Sequence, residues 1–364
     1  MRVGCVLHLL AGLTTLALQP QIPLRSGSWI MPLPRLSPAP ILLSAAPILL
    51  SAAPAHLPAS LSADVTTDLT ASVLSLPLSL PSLLLSSPPL LRDSLCAIAV
   101  ALAAAIWIGF WSRLAANGQL QSTISRKLIH TGSAPLFLVC WPLFSDGPSA
   151  RIAACLVPLL QVLRLARAGL GSGGATDVTT ARQRKQTATE EPKQPEEALV
   201  AAVSRSGERS EALGGPLLYT LVLLAATALG WRSPVAAVAV CQMAFGDGIA
   251  DIFGRRWGRL GPPIPWCPQK SLVGSGAFVL SAWLSSCSFI ALFHACGFTA
   301  LTAQATAVTL LAISIVSALV ESGADLFERT ALPPVLCDDN FNVPLVATVL
   351  SLLWLQEPGV VLVL

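Results

Sequence analysis

Ser94-Leu-Cys-Ala-Ile-Ala-Val-Ala-Leu-Ala-Ala-Ala-Ile-Trp-Ile-Gly-Phe-Trp111 contains no charged residue. A helix of that length rises about 27 Å, close to the thickness of a bilayer's hydrocarbon core. Outward from it, the chain alternates further apolar stretches with charged connectors, at 128–144, 150–163, 214–231, 234–249, 272–296, 300–320 and 343–364. The third and fifth are short for a crossing. The pattern predicts an all-α, polytopic transmembrane helical bundle of seven to eight spans. Composition agrees: the 364 residues are 54% hydrophobic and 11% charged, where a soluble domain carries about 25% charge. That scarcity excludes a water-soluble fold, and the apolar content excludes disorder for the bulk of the chain.

Charge placement gives the sidedness. Loops 112–127, 164–213, 250–271 and 321–342 together hold 16 Lys and Arg, against Arg92, Arg151 and Arg232 on the other side. Such asymmetry is the signature of a fixed membrane orientation. The lipid bilayer is the expected partner, and nothing in the pattern predicts a nucleic-acid partner.

Ahead of the first span, no acid precedes Asp64, and the only bases before it are Arg2, Arg25 and Arg35. The stretch is Ser-, Ala-, Leu- and Pro-rich and repeats Ile-Leu-Leu-Ser-Ala-Ala-Pro at Ile41 and Ile48. We read residues 1–62 as a disordered organelle transit peptide, a plastid one on the resemblance given below, and 63–91 as a Pro/Ser/Leu-rich linker to the membrane domain, 92–364. A secretory signal with Val3–Leu18 as its apolar core is the competing reading. The prolines through Pro89 predict no regular helix before residue 92. Residues 168–200 read as a flexible insertion. The nine cysteines include no C-x-x-C pair and sit mostly in apolar runs, as packing residues.

With so few charges, the acids stand out. Between Glu211 and Glu321 the only carboxylates are Asp247 and Asp251, in Ala244-Phe-Gly-Asp-Gly-Ile-Ala-Asp-Ile-Phe-Gly-Arg-Arg256. A spacing of four puts both on one helix face. Paired carboxylates at a membrane surface suit Mg²⁺, which shares its remaining positions with phosphates and water. Gly246 and Gly248 would allow close approach of a phosphate or of backbone, with Arg255 and Arg256 as counter-charges. The bland reading is an interfacial Asp pair bridged to those arginines. A second cluster, Pro268-Gln-Lys-Ser-Leu-Val-Gly-Ser-Gly276, offers Lys270, Ser271 and Gly274 at a helix start as a phosphate cradle, or Lys270 as a snorkelling anchor. No Walker A order is present. In Ser125-Arg-Lys-Leu-Ile-His130, Arg126 and His130 share a face beside Lys127; His130 is either a base for an alcohol or a packing residue. Glu208, Glu211 and Tyr219, the only tyrosine, form a fourth cluster. Glu321, Asp325, Asp338, Asp339 and Asn340 form a fifth, as further metal ligands or as a solvated connector. All five fall on the basic side.

On Arg126-Lys-Leu-Ile-His130, Arg205-Ser-Gly with Glu208, Gly215-Pro-Leu-Leu-Tyr219, Gly246-Asp-Gly-Ile-Ala-Asp251 with Gly254-Arg-Arg256, Lys270-Ser271 with Gly274-Ser275, and Glu321-Ser322 with Asp338-Asp-Asn340 and Val343-Pro-Leu345, the chain resembles the chloroplast phytol kinases and farnesol kinases of the polyprenol kinase group. The resemblance covers roughly 120–350 apart from the insertion. It implies a multi-pass chloroplast membrane protein that phosphorylates an isoprenoid alcohol, preferentially from CTP, in tocopherol and isoprenoid salvage. Asp247, Asp251 and Asp339 would then hold Mg²⁺; Lys270, Arg255 and Arg256 would offset phosphate charge; His130 or Asp339 would orient the hydroxyl.

Two other enzymes, a CDP-alcohol phosphotransferase and a phosphatidate cytidylyltransferase, share the membrane-bound Asp/Mg²⁺ chemistry. The phosphotransferase signature needs two more aspartates downstream, and none follows Asp251 before Glu321. A transporter of an anionic or isoprenoid solute would place ionisable residues near the bilayer midplane.

Overall fold

The computed structural model describes residues 87–170, 200, 208–323 and 338–355. The segment expected to be a transit peptide, most of the expected linker, most of the 168–200 stretch expected to be a flexible insertion, and Arg205, Asp325 and Arg329 lie outside the described residues. Within them the chain is helical except for one short hairpin.

The rods follow the apolar stretches in order: α1 (Pro89–Ala116), α2 (Ser122–Cys140), α3 (Pro148–Leu170), α4 (Gly215–Leu229), α5 (Pro234–Cys241), α6 (Gly248–Trp257), α7 (Leu272–Ala295), α8 (Ala303–Ser322) and α9 (Asp339–Trp354). Six are long and apolar enough to cross a membrane, counting α5 through α6 as one continuous rod. The other two, α2 and α9, pack against them. The third span is longer than expected, at 23 residues. The connector expected at 250–271 begins instead as helix, because α6 carries the fifth rod onward to Trp257. Helix also starts ahead of residue 92: Pro89 occupies the first turn of α1, where its missing N–H and fixed φ cost nothing.

Local chemistry sets the ends. Ser233 caps α5, Ser271 caps α7, Thr302 caps α8 and Asp338 caps α9, each through a side-chain oxygen accepting a backbone N–H. After α7 the chain reverses at Gly297, φ +76°. There Phe298 N donates to Phe293 O and Gly297 N to His294 O, the paired bonds of a glycine-terminated helix.

The α5–α6 rod is the axis of the bundle: 67% of its apolar window is buried inside the protein, against 22–44% for the other five. Val238 and Ala239 pack with Ile290, Leu310, Ile313 and Ala347 from α7, α8 and α9. Between α5 and α6 lies one wide π turn, Gln242–Asp247. Gln242 Nε2 donates to Ser286 Oγ at 3.1 Å and Ser314 Oγ at 3.0 Å, and Ser281 Oγ donates to Phe245 O at 3.1 Å. The distortion is therefore pinned by α7 and α8. Such turns commonly mark functional positions, and this one ends on Asp247.

The less basic ends of the helices are tied by polar contacts. Buried Asp93 accepts from Ser145 N at 2.7 Å, Ser145 Oγ at 2.8 Å and Ser149 Oγ at 2.6 Å. Arg92 donates to Leu143 O and Phe144 O. Arg232, at φ 59°, donates to Trp141 O, Phe144 O and Asp146, with its guanidinium 4.3 Å from the Phe298 ring centre. The seven described cysteines are free thiols.

Candidate active site

The opposite ends of the rods gather the charges. Lys127 sits one turn into α2, and its ammonium bridges both oxygens of Asp247, at 3.2 Å and 3.0 Å. His130, three residues on and on the same face, brings Nε2 to 3.3 Å from Asp247 Oδ2. Asp247 is buried, and a buried carboxylate requires partners of this kind.

From two other rods come Glu321, at the end of α8, and Asp339, at the start of α9. One oxygen of each lies within 4.8 Å of the others and of Asp247. Three hard oxygen donors at this spacing fit a small divalent cation such as Mg²⁺. Lys270 closes the group from the hairpin β1 (Pro263–Ile264) and β2 (Cys267–Ser271). Its Nζ donates to Glu321 Oε1 at 2.7 Å and to Glu321 O at 2.6 Å. Burial alone would pull the Lys270 ammonium down, but the carboxylates of Glu321, Asp339 and Asp247, Glu321 foremost, together hold it above the ordinary lysine value. Asp338 and Asn340 complete the rim: Asn340 Nδ2 donates to Asp338 Oδ1 at 2.8 Å and to Asp339 Oδ1 at 3.3 Å.

Below this polar end opens a cavity of about 1050 Å³, walled by α1, α2, α3 and α4. Arg126, Lys127, His130, Asp247 and Asp339 line its polar end, and Ala97, Phe137, Cys140 and Ala153 line it toward the less basic ends of the helices. Along α1, its lining runs from Ser94 to Ile108, about 21 Å at helical rise.

The structure rearranges several expected roles. Of the metal ligands expected, Asp247 and Asp339 come together, but Glu321 takes the third place. Asp251 lies outside that group, on the far side of Lys127's ion pairs: Arg255 Nε donates to it at 2.8 Å, and Lys127 Nζ pairs with its other oxygen at 4.0 Å. Arg255 is itself 58% exposed, and Arg256 lies over the Trp257 ring, so both sit outside the carboxylate cluster. The expected open glycine faces are filled by protein. A Cβ on Gly246 would strike the Phe278 ring, and one on Gly248 would overlap Thr131. One on Gly274 would come 3.3 Å from Ala250 O and 3.4 Å from Gly254 Cα. These glycines let α6 approach α2 and α7 closely. Ser271 Oγ already accepts the Gly274 N–H, at 3.2 Å.

Tyr219 has a role its motif did not disclose. Its hydroxyl donates to His130 O at 2.7 Å and accepts from Ala134 N at 3.3 Å, and its ring lies 4.2 Å from the imidazole. It braces the turn of α2 that carries His130. Its being the sole tyrosine, buried beside a helix start, was the available signal. Tyr219→Phe leaves those backbone groups short of a partner. Thermal unfolding of the purified protein should show a loss of about 1–2 kcal/mol, and an unchanged melting temperature would refute the brace.

Among known proteins, the chain is 37% identical over 228 residues to "Probable phytol kinase 1, chloroplastic" of Glycine max, covering 62% of this chain and 65% of that protein. To "Probable phytol kinase, chloroplastic" of Triticum aestivum it is 33% identical over 266 residues, covering 72% and 78%. To "Farnesol kinase, chloroplastic" of Arabidopsis thaliana it is 33% identical over 216 residues, covering 59% and 62%. It thus spans just under two thirds of the soybean and Arabidopsis proteins and over three quarters of the wheat one. No protein-family model matches the chain, and no solved structure does. The relatives are chloroplastic by name, and the described helices include six of membrane-crossing length; the chain is a plastid multi-pass membrane protein. With its motifs in order on one bundle, and with the wheat relative matched over most of its length, this chain belongs to the phytol kinase and farnesol kinase family.

Proposed function

We propose that this protein is an integral-membrane kinase that moves the terminal phosphoryl group of a nucleoside triphosphate, CTP by preference, onto phytol or a related isoprenoid alcohol, in the service of tocopherol and isoprenoid salvage. The observation that carries the reading is three converging carboxylates, two of which, Asp247 and Asp339, line the polar end of a large apolar cavity. Each half alone is ordinary; joined, they suit a reaction between an anionic, metal-chelated cosubstrate and a greasy alcohol.

Phosphoryl transfer asks a protein for in-line positioning and charge neutralisation. The alcohol oxygen forms a bond to the γ-phosphorus as the bond to the bridging oxygen breaks, and the nucleoside diphosphate departs. Asp247, Glu321 and Asp339 would hold Mg²⁺, whose contribution when bound is to neutralise the phosphate oxygens. Lys127 and Lys270 stand beside those carboxylates and offset charge that grows on the transferred group. His130, at the cavity's polar end, takes the hydroxyl proton. The cavity walls bury the tail and fix the hydroxyl where the polar end begins. The transporter reading fits less well, because the ionisable side chains that line the cavity gather at one end of it and not near the bilayer midplane.

The test uses membranes carrying the protein, labelled CTP or ATP, Mg²⁺, and phytol, farnesol or geranylgeraniol, with detection of the alcohol monophosphate. Product is expected, highest with CTP and abolished by EDTA. Absence of product with every pair would overturn the reading.

A further inference from the structure

The cavity has an open side. α1 and α3 are tied near their less basic ends, where Ser149 Oγ donates to buried Asp93 at 2.6 Å. From there toward the basic loops, burial falls away on both helices. On α1, Ala97 is buried, Ala101 half-buried and Ala105 exposed, and all three line the cavity. On α3, Ala153 is buried while Leu156, Leu160 and Arg164 are exposed, and all four line the cavity. Members of each row stand three or four positions apart, so each row keeps to one side of its helix. Side chains that face both a cavity and the surroundings border an opening, and here two neighbouring helices supply them. Both helices are long and apolar enough to cross a membrane, so the hydrocarbon of a bilayer lies against this slot.

We propose that the slot between α1 and α3 is a lateral doorway, through which the isoprenoid alcohol enters from the leaflet and its monophosphate leaves. The proposal rests on the kinase reading above and deepens it. A long isoprenoid alcohol is dissolved in hydrocarbon, and a route through the aqueous end would expose its whole tail to water. A sideways route keeps the tail in apolar surroundings throughout. The alanines leave the α1 lip low, and Leu156 and Leu160 make the α3 lip apolar. Arg164 ends the α3 row on the basic side, where a long cationic side chain reaches head-group level. Its guanidinium can donate to the alcohol oxygen on entry and pair with the phosphate on exit. An apolar row closed by a cation is complementary to an amphiphile with one anionic head.

The experiment uses the full-length protein in phosphatidylcholine vesicles, with geranylgeraniol bearing a diazirine on its last isoprene unit, irradiated at intervals after mixing. Label should appear on the α1 and α3 rows, and excess unlabelled geranylgeraniol should remove it. Ala105→Trp narrows the slot without filling the cavity. It should slow the appearance of this label about tenfold and leave its final extent unchanged, which also shows the variant to be folded. Ile106→Trp, at a residue 72% exposed and outside the cavity lining, should change neither. Geranylgeranyl monophosphate should displace the label at about tenfold lower concentration than the alcohol. Arg164→Gln should remove that advantage, and Arg167→Gln should keep it. Label that excess alcohol does not remove, removable label confined to α7 and α8, equal rates in the two tryptophan variants, or a displacement advantage that survives Arg164→Gln would overturn the doorway. Removable label on the two rows, with no monophosphate formed from Mg²⁺ and CTP or ATP, would instead overturn the kinase reading and leave the doorway standing.

Discussion

Asp247→Asn should lower isoprenoid-alcohol kinase activity by about 10³-fold or more, the scale on which preorganised charge contributes at such sites. Three contacts meet on that one carboxylate. It bridges to Lys127 through both oxygens, lies 3.3 Å from His130 Nε2, and faces Glu321 and Asp339 within 4.8 Å. The amide keeps the shape but removes the charge that organises them. It also leaves the Lys127 ammonium nearly buried without its counter-ion, which costs about 3 kcal/mol or more. The two effects separate in the double variant Lys127→Met with Asp247→Leu. Replacing both buried charges with apolar side chains should return much of the stability while activity stays lost. The checks are the rate of alcohol monophosphate formation and the melting temperature in detergent. Near-normal activity in Asp247→Asn would contradict the assigned role.

Gly248→Ala should be almost as damaging, although it adds one methyl group and removes no functional group. The new Cβ would overlap Thr131 Oγ1 and lie 2.9 Å from Thr131 Cβ. Thr131 is buried in α2, so it cannot swing into open space. Relief requires α6 to move away from α2, and that movement draws Asp247 from Lys127. Overpacking of this kind costs about 1–3 kcal/mol, and a shift near 1 Å at a catalytic group can cost about 10²-fold in rate. Thr131→Gly in the same chain should restore most of the rate by reopening the space. A silent Gly248→Ala would mean that the two helices are not in contact there.

The sequence made the bundle legible for a simple reason. Long uncharged stretches have few alternatives to a membrane helix, and the 16-to-3 split of basic residues orders them. Asp247, Lys127 and Lys270 were legible because ionisable residues beside apolar spans are scarce. The grouping was not. Spacing along one helix suggested Asp247 with Asp251, but metal ligands can come from any rods that meet. Glu321 and Asp339 are separated from Asp247 by 74 and 92 positions, and only tertiary packing joins them. The π turn was invisible too, since Gln242–Asp247 reads as ordinary helix until Ser286 and Ser314 are seen to hold Gln242. The glycines were legible only as points of close approach, by a phosphate or by backbone, and the approaching body is a neighbouring helix.

The Asp93 and Arg232 ties at the less basic ends carry a consequence for direction. The charged groups of the site all lie at the opposite end, with the basic loops. On the kinase reading proposed above, nucleotide would arrive, and diphosphate depart, from the compartment facing those loops. The phosphorylated product would carry its new head group toward that same compartment, with its tail still in the leaflet from which the alcohol came, and no flip across the bilayer would be needed. The orientation acquired at insertion would then decide which pool of nucleotide is spent, before any question of affinity arises.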